Sequence, residues 1–110
     1  MREPERDPGR LADIRNAANN LAEFTLGIAY DSFADDKLRY FAVLKNIEII
    51  GEAAYMLSTD FKDAHPDILW KSIINMRHVL VHGYASVLPE LLWDTATRDV
   101  PNLLKMLVGD

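Results

Sequence analysis

The chain has 110 residues, 49% of them hydrophobic, with four Phe, two Trp and four Tyr; this is enough for one packed core and too little for two domains. It has no cysteine, which excludes a disulfide framework, a thiolate metal site and a cysteine nucleophile. Seventeen acidic side chains against twelve Lys and Arg leave a net charge of −5, a poor overall balance for a nucleic-acid binder, so any such role needs a local basic strip.

The N-terminal residues Met1 to Arg10 hold two prolines and a glycine, alternate in charge and lack an apolar run. They read as a flexible leader rather than a signal peptide, followed by one domain from 11 to 110. No run approaches the roughly 18 to 20 apolar residues that span a bilayer, so the expectation is a soluble cytoplasmic protein.

From Leu11 to about Ala29, apolar residues recur every three or four positions (Leu11, Ile14, Ala18, Leu21, Phe24, Ile28), which predicts a helix. Ser32, with Asp35 three residues on, resembles an N-cap and predicts a second helix to about Leu57. Its expected buried stripe is Leu38, Phe41, Leu44, Ile47, Ile50, Ala54 and Leu57. Gly51 lies inside that stripe, where glycine costs about 1 kcal/mol relative to alanine, and so marks a close approach by another helix. Residues 58–65 read as a loop. A third helix is expected from Pro66 or Asp67 to Gly83, and a last one from Pro89 to about Leu107, kinked or broken near Thr97 to Val100 by Pro101.

The stretch Met76 to Tyr84 concentrates groups that handle phosphate. Arg77 carries a permanently charged fork of donors, His82 brings an imidazole that can give or take a proton, and Tyr84 adds a hydroxyl past the helix end. Arg77 and His82 are five residues apart, so an ideal helix separates them by about 140° in azimuth and about 7.5 Å in height. Convergence on one phosphate therefore depends on the reach of the arginine or on a second subunit. In an arbitrary helical protein the bare spacing more often marks a surface charge and a partly buried capping residue. His78 and His82, four apart on one face, have the spacing of two zinc ligands, but no glutamate stands beside them in the metalloprotease pattern and the remaining histidine, His65, falls in the expected loop. No metal or cofactor is expected. Glu48 and Glu52 are also four apart. Glu48 reads as a solvated ion-pairing residue, whereas Glu52, beside Gly51, is placed to face a helix contact and orient a basic group. Trp70, Trp93 and Tyr55 read as core or interface anchors.

Taken together, Arg77-x4-His82-x-Tyr84 resembles the R-x4-H-x-Y motif of HepT toxins in the HEPN superfamily. The segments Phe33 to Ala53, His65 to Arg77 and Leu92 to Pro101 resemble that family in the same order, so the likeness spans about residues 11 to 108. It implies an all-α fold, an antiparallel four- to five-helix up-and-down bundle, assembled as a homodimer with the Arg77 and His82 of both subunits lining one cleft. It also implies a metal-independent endoribonuclease toxin in which the RNA 2′-hydroxyl attacks the adjacent phosphate. His82 would transfer protons and Arg77 would stabilise the phosphorane, supported by His78. Tyr84 corresponds to the tyrosine to which a nucleotidyltransferase antitoxin of the MNT type adds AMP, blocking the cleft by charge and bulk. Lys45, Arg39 and Lys71 are candidates for extending a basic strip. The alternative is a non-catalytic subunit that binds a nucleotide or the nucleotidyltransferase.

Overall fold

A computed structural model describes residues 4–83 and 87–110, with Val81 described by its backbone alone. Every regular element among the described residues is a helix: a 3-10 turn Pro4–Arg6, then α1 Asp7–Thr25, α2 Tyr30–Ala34, α3 Lys37–Met56, α4 Thr59–Ala64, α5 Trp70–Gly83, α6 Pro89–Asp94, a π-helical stretch Thr95–Asp99, and α7 Val100–Met106. No helix among them is long and apolar enough to cross a membrane.

Helix α1 begins four residues before the expected Leu11. Pro8 fits its first turn, where no intrahelical N–H is needed, and Asp7 is buried as a tether to the far end of α3. The backbone N–H of Ser58 donates to Asp7 Oδ1 (2.8 Å) and the Ser58 hydroxyl donates to Oδ2 (2.6 Å). The expected leader thus contributes at least its residues 4–10 to the helical structure. At the other end α1 stops at Thr25 and not near Ala29, because Gly27 turns the chain with φ of +73°.

The long second helix divides in two. Phe33 of α2 is fully buried in an aromatic cluster with Tyr30, Tyr40 and Trp93, which pulls the chain out of line before α3. The cap of α3 is Asp36 and not Ser32: its carboxylate accepts from the Arg39 N–H at 3.0 Å. Leu38 (86% exposed) and Phe41 (45%) leave the expected buried stripe, while Leu44, Ile47, Ile50, Ala54 and Leu57 lie in the core.

Contacts Asp7–Ser58, Asn20–Asn46 and Arg39–Phe24 pair rising positions on α1 with falling ones on α3, so the two helices run antiparallel. The predicted loop after α3 contains the short α4, capped by the Ser58 hydroxyl that also holds Asp7. Helix α5 starts at Trp70, later than expected, after a turn in which the Trp70 indole donates to the His65 carbonyl. Pro101 does not break the last helix. The strain is absorbed upstream by the π-helical stretch, where the Val100 N–H reaches the carbonyl of Thr95, and the run from Pro89 to Met106 is continuous.

Candidate active site

Helix α5 packs directly on α3, and the two come tightly together at Gly51. A methyl group there would collide with Arg77 Cβ and lie 3.2 Å from Arg77 Cα. The glycine expected from the sequence to admit another helix therefore admits the turn of α5 that carries Arg77. That proximity delivers the guanidinium to the next residue of α3, and Arg77 Nε forms an ion pair with Glu52 Oε2 at 2.6 Å. The pair is half-exposed, with 34% of the Arg77 side chain and 49% of the Glu52 side chain open to solvent. Arg77 Cζ also lies 5.9 Å from the ring centroid of Tyr55, within cation–π range. Tyr55 is exposed, so it frames the arginine from the surface and is not a core anchor. Glu52 engages the guanidinium through Nε, and a third of the Arg77 side chain stays open to solvent, an arrangement that leaves it accessible to a second, anionic partner.

His78 and His82 are both exposed on α5, with ring centroids 4.5 Å apart. They occupy a different strip of the helix from Arg77, as the five-residue spacing requires. His65 lies elsewhere: Nδ1 is 2.9 Å from the Phe61 carbonyl, Nε2 is 2.9 Å from Asp110 Oδ2, and the ring stacks on Phe61. The two acceptors favour the charged imidazolium and raise its pKa, the Phe61 carbonyl most and Asp110 next. No group of three His, Asp or Glu side chains gathers in metal-binding geometry among the described residues. Tyr84 lies outside the described residues; the flanking chain is anchored by the Tyr40 hydroxyl, which donates to the Val87 carbonyl at 2.9 Å.

Of the residues considered for a basic strip, Arg39 is committed to structure. It bonds Asp36 through Nε and the Phe24 carbonyl through a terminal nitrogen. Lys45 is exposed and pairs with Glu48 at 3.5 Å, the surface ion pair expected for Glu48. Lys71 is exposed near the start of α5. A polar groove of about 350 Å³ runs beside Arg77, lined by Arg10 and Asp13 of α1 and by Lys45, Glu48 and Glu52 of α3. Arg10 was not among the sequence candidates, because residues 1–10 read as a leader. The available signal was Pro8, which suits a first helical turn. A second cleft, of about 400 Å³, opens between α3, α5 and α7 over Ile47, Ile50, Ile73, Met76, Val100 and Leu103. It is the larger of the two, but its lining includes none of the candidate site residues and offers little for phosphate chemistry.

Comparison with known proteins gives the family of the chain. The family described as "Ribonuclease HepT-like" matches residues 14–108. A Thermococcus cleftensis protein named "Probable ribonuclease HepT" is 42% identical over 93 residues, covering 84% of each chain. A Methanocaldococcus jannaschii protein named "Putative RNase MJ1380" is 38% identical over 95 residues, covering 86% of this chain and 87% of its own. No solved structure matches the chain significantly. A match across nearly the whole helical domain, with two such relatives covered almost end to end, places this chain in the HepT-like ribonuclease family of the HEPN superfamily.

Proposed function

We propose that this protein is a cytoplasmic, metal-independent endoribonuclease and the toxin of a toxin–antitoxin pair of the type VII kind. The observation that carries the reading is Arg77, seated against Gly51, paired through Nε with Glu52 at 2.6 Å and still partly open to solvent. The relatives' names, which describe ribonucleases, support the substrate. The 2′-oxygen loses its proton and bonds to phosphorus, the bond from phosphorus to the 5′-oxygen breaks, and that oxygen takes up a proton. The products are a 2′,3′-cyclic phosphate and a 5′-hydroxyl. His82 acts in proton transfer, His78 supports it from 4.5 Å, and Arg77 neutralises charge on the phosphorane. A homodimer would bring two copies of each group to one cleft, and the exposed Leu38, Phe41 and Tyr55 of α3 and Val79 of α5 supply apolar surface for it. AMP added to Tyr84 by a nucleotidyltransferase antitoxin would place negative charge just beyond α5 and repel an RNA phosphate.

The test is cleavage of end-labelled RNA in EDTA by the parent, Arg77→Ala and His82→Ala proteins. The expected result is cyclic-phosphate ends from the parent and a loss of about 10²-fold or more in either variant. A folded parent that cuts nothing would overturn the reading and favour a non-catalytic nucleotidyltransferase-binding subunit, to which the net charge of −5 also points. Mass spectrometry after incubation with the partner enzyme and ATP is expected to find AMP on Tyr84.

A further inference from the structure

The groove beside Arg77 contains a cation with no assigned work. Arg10, in the first turns of α1, lines it together with Lys45 and Arg77. Its Nε is buried and has no hydrogen-bond partner among the described residues. Burial closes Nε itself to a ligand, so an outside acceptor can meet this guanidinium only at its terminal nitrogens, which make no hydrogen bond or ion pair among the described residues. The neighbouring acids leave it unmatched: Glu48 pairs with Lys45 and Glu52 with Arg77. Asp13 is three residues further along α1, and no ion pair joins it to Arg10 among the described residues.

We propose that Arg10 is a phosphate-binding residue for the RNA backbone, forming a subsite that flanks the phosphate held by Arg77. The strand then follows the groove between α1, α3 and α5. The lining on α3 extends from Lys45 to Ala53, about 12 Å of helix, which accommodates a short length of backbone rather than a single ion. Guanidinium forks at the Arg10 and Arg77 positions match the acceptor geometry of phosphodiester oxygens. The groove wall balances three cations, Arg10, Lys45 and Arg77, against three carboxylates, Asp13, Glu48 and Glu52; with Glu48 and Glu52 paired to Lys45 and Arg77, Arg10 is the lining cation without an ion pair among the described residues and so meets an incoming phosphate at the least cost in broken contacts. The identity of the anion rests on the ribonuclease reading; the subsite itself rests on Arg10 and the groove.

The experiment is fluorescence anisotropy of a labelled 2′-O-methyl RNA oligonucleotide, which lacks the attacking hydroxyl and cannot be cut, titrated at several KCl concentrations. Arg10→Gln is expected to weaken binding about tenfold and to reduce the slope of log affinity against log salt by about 0.7. Arg10→Lys should keep most of the slope, since the charge remains. Arg98→Gln removes the same charge from an exposed pair with Asp94 away from the groove and should change little. No binding by the parent, an unchanged Arg10→Gln protein, or an equal loss in Arg10→Gln and Arg98→Gln would each overturn the subsite. Arg10-dependent binding by a parent that cannot cut unmodified RNA would instead remove the ribonuclease reading and keep the subsite.

Discussion

Helix α3 is covered by a long helix on each of two sides, and the two contacts are built on opposite plans. Against α1 the seam is apolar, with Leu11, Ile14, Ala18 and Leu21 buried, and its polar groups are matched inside it: Asp7 on Ser58, and the Asn20 amide donating to the Asn46 carbonyl oxygen at 3.0 Å. Against α5 the backbones come so close that Gly51 has no room for a side chain, and the polar contact beside it, Arg77 with Glu52, faces solvent. The first plan consumes its hydrogen-bonding capacity in holding the fold. The second uses backbone proximity to hold the helices and leaves charged groups oriented toward the surface, where a substrate can meet them.

Breaking the second contact should have the largest effect. Gly51→Val forces α3 and α5 apart at Arg77, and a loss of about 3 kcal/mol is expected from overpacking against a backbone-proximal atom. Both the urea midpoint and RNA cleavage should fall; a variant as stable as the parent would refute the close packing. Next comes the α1 contact. Asp7→Ala strips the acceptor from the Ser58 N–H and hydroxyl, at a cost of about 2 kcal/mol in chemical denaturation. Glu52→Gln sharpens the contrast. Because that pair is half-exposed, stability should change by less than about 1 kcal/mol. Single-turnover cleavage should nonetheless drop about tenfold if Glu52 sets the orientation of Arg77. Equal activity would make the ion pair incidental.

The smallest expected effect lies away from both contacts, at His65. Its pKa is raised in the folded state by the Phe61 carbonyl and by Asp110, so its stabilisation is fully present below the unfolded value of about 6.5 and is lost as pH rises through the folded value. The urea midpoint should therefore decline across that window in the parent and do so less in His65→Gln. Asp36 works in the opposite sense. The Arg39 N–H holds its carboxyl below the usual range, so its contribution is lost on acidification.

Much of this was legible in the chain. A period of three to four in α1, α3 and α5 carries the helices, and a glycine within a buried stripe carries the close approach, because both are local consequences of helix geometry. Less legible were the ends of elements. Ser32 and Asp36 are both plausible caps, and the choice between them depends on Phe33 finding an aromatic pocket built from Tyr40 and from Trp93, sixty residues away. The exposure of Leu38 and Phe41 was hidden for the same reason, since periodicity shows an apolar stripe without saying where the covering helix ends. The site divides likewise. Arg77, His78 and His82 lie in one short segment that sequence can single out. Glu52 could be suspected only from its neighbour Gly51, and Arg10, sixty-seven residues from Arg77, belonged to a segment that local composition marks as a leader.

By itself, then, the sequence determined the helical class, the family and the segment that carries the chemistry, all of which depend on residue identity and short-range spacing. Tertiary structure decided which partner each charge meets: Arg77 with Glu52, Lys45 with Glu48, Asp7 with Ser58, and Arg10 with an open groove. Those pairings follow from the register in which antiparallel helices dock, and register is set by burial and shape summed over the whole interface rather than by any local pattern of residues.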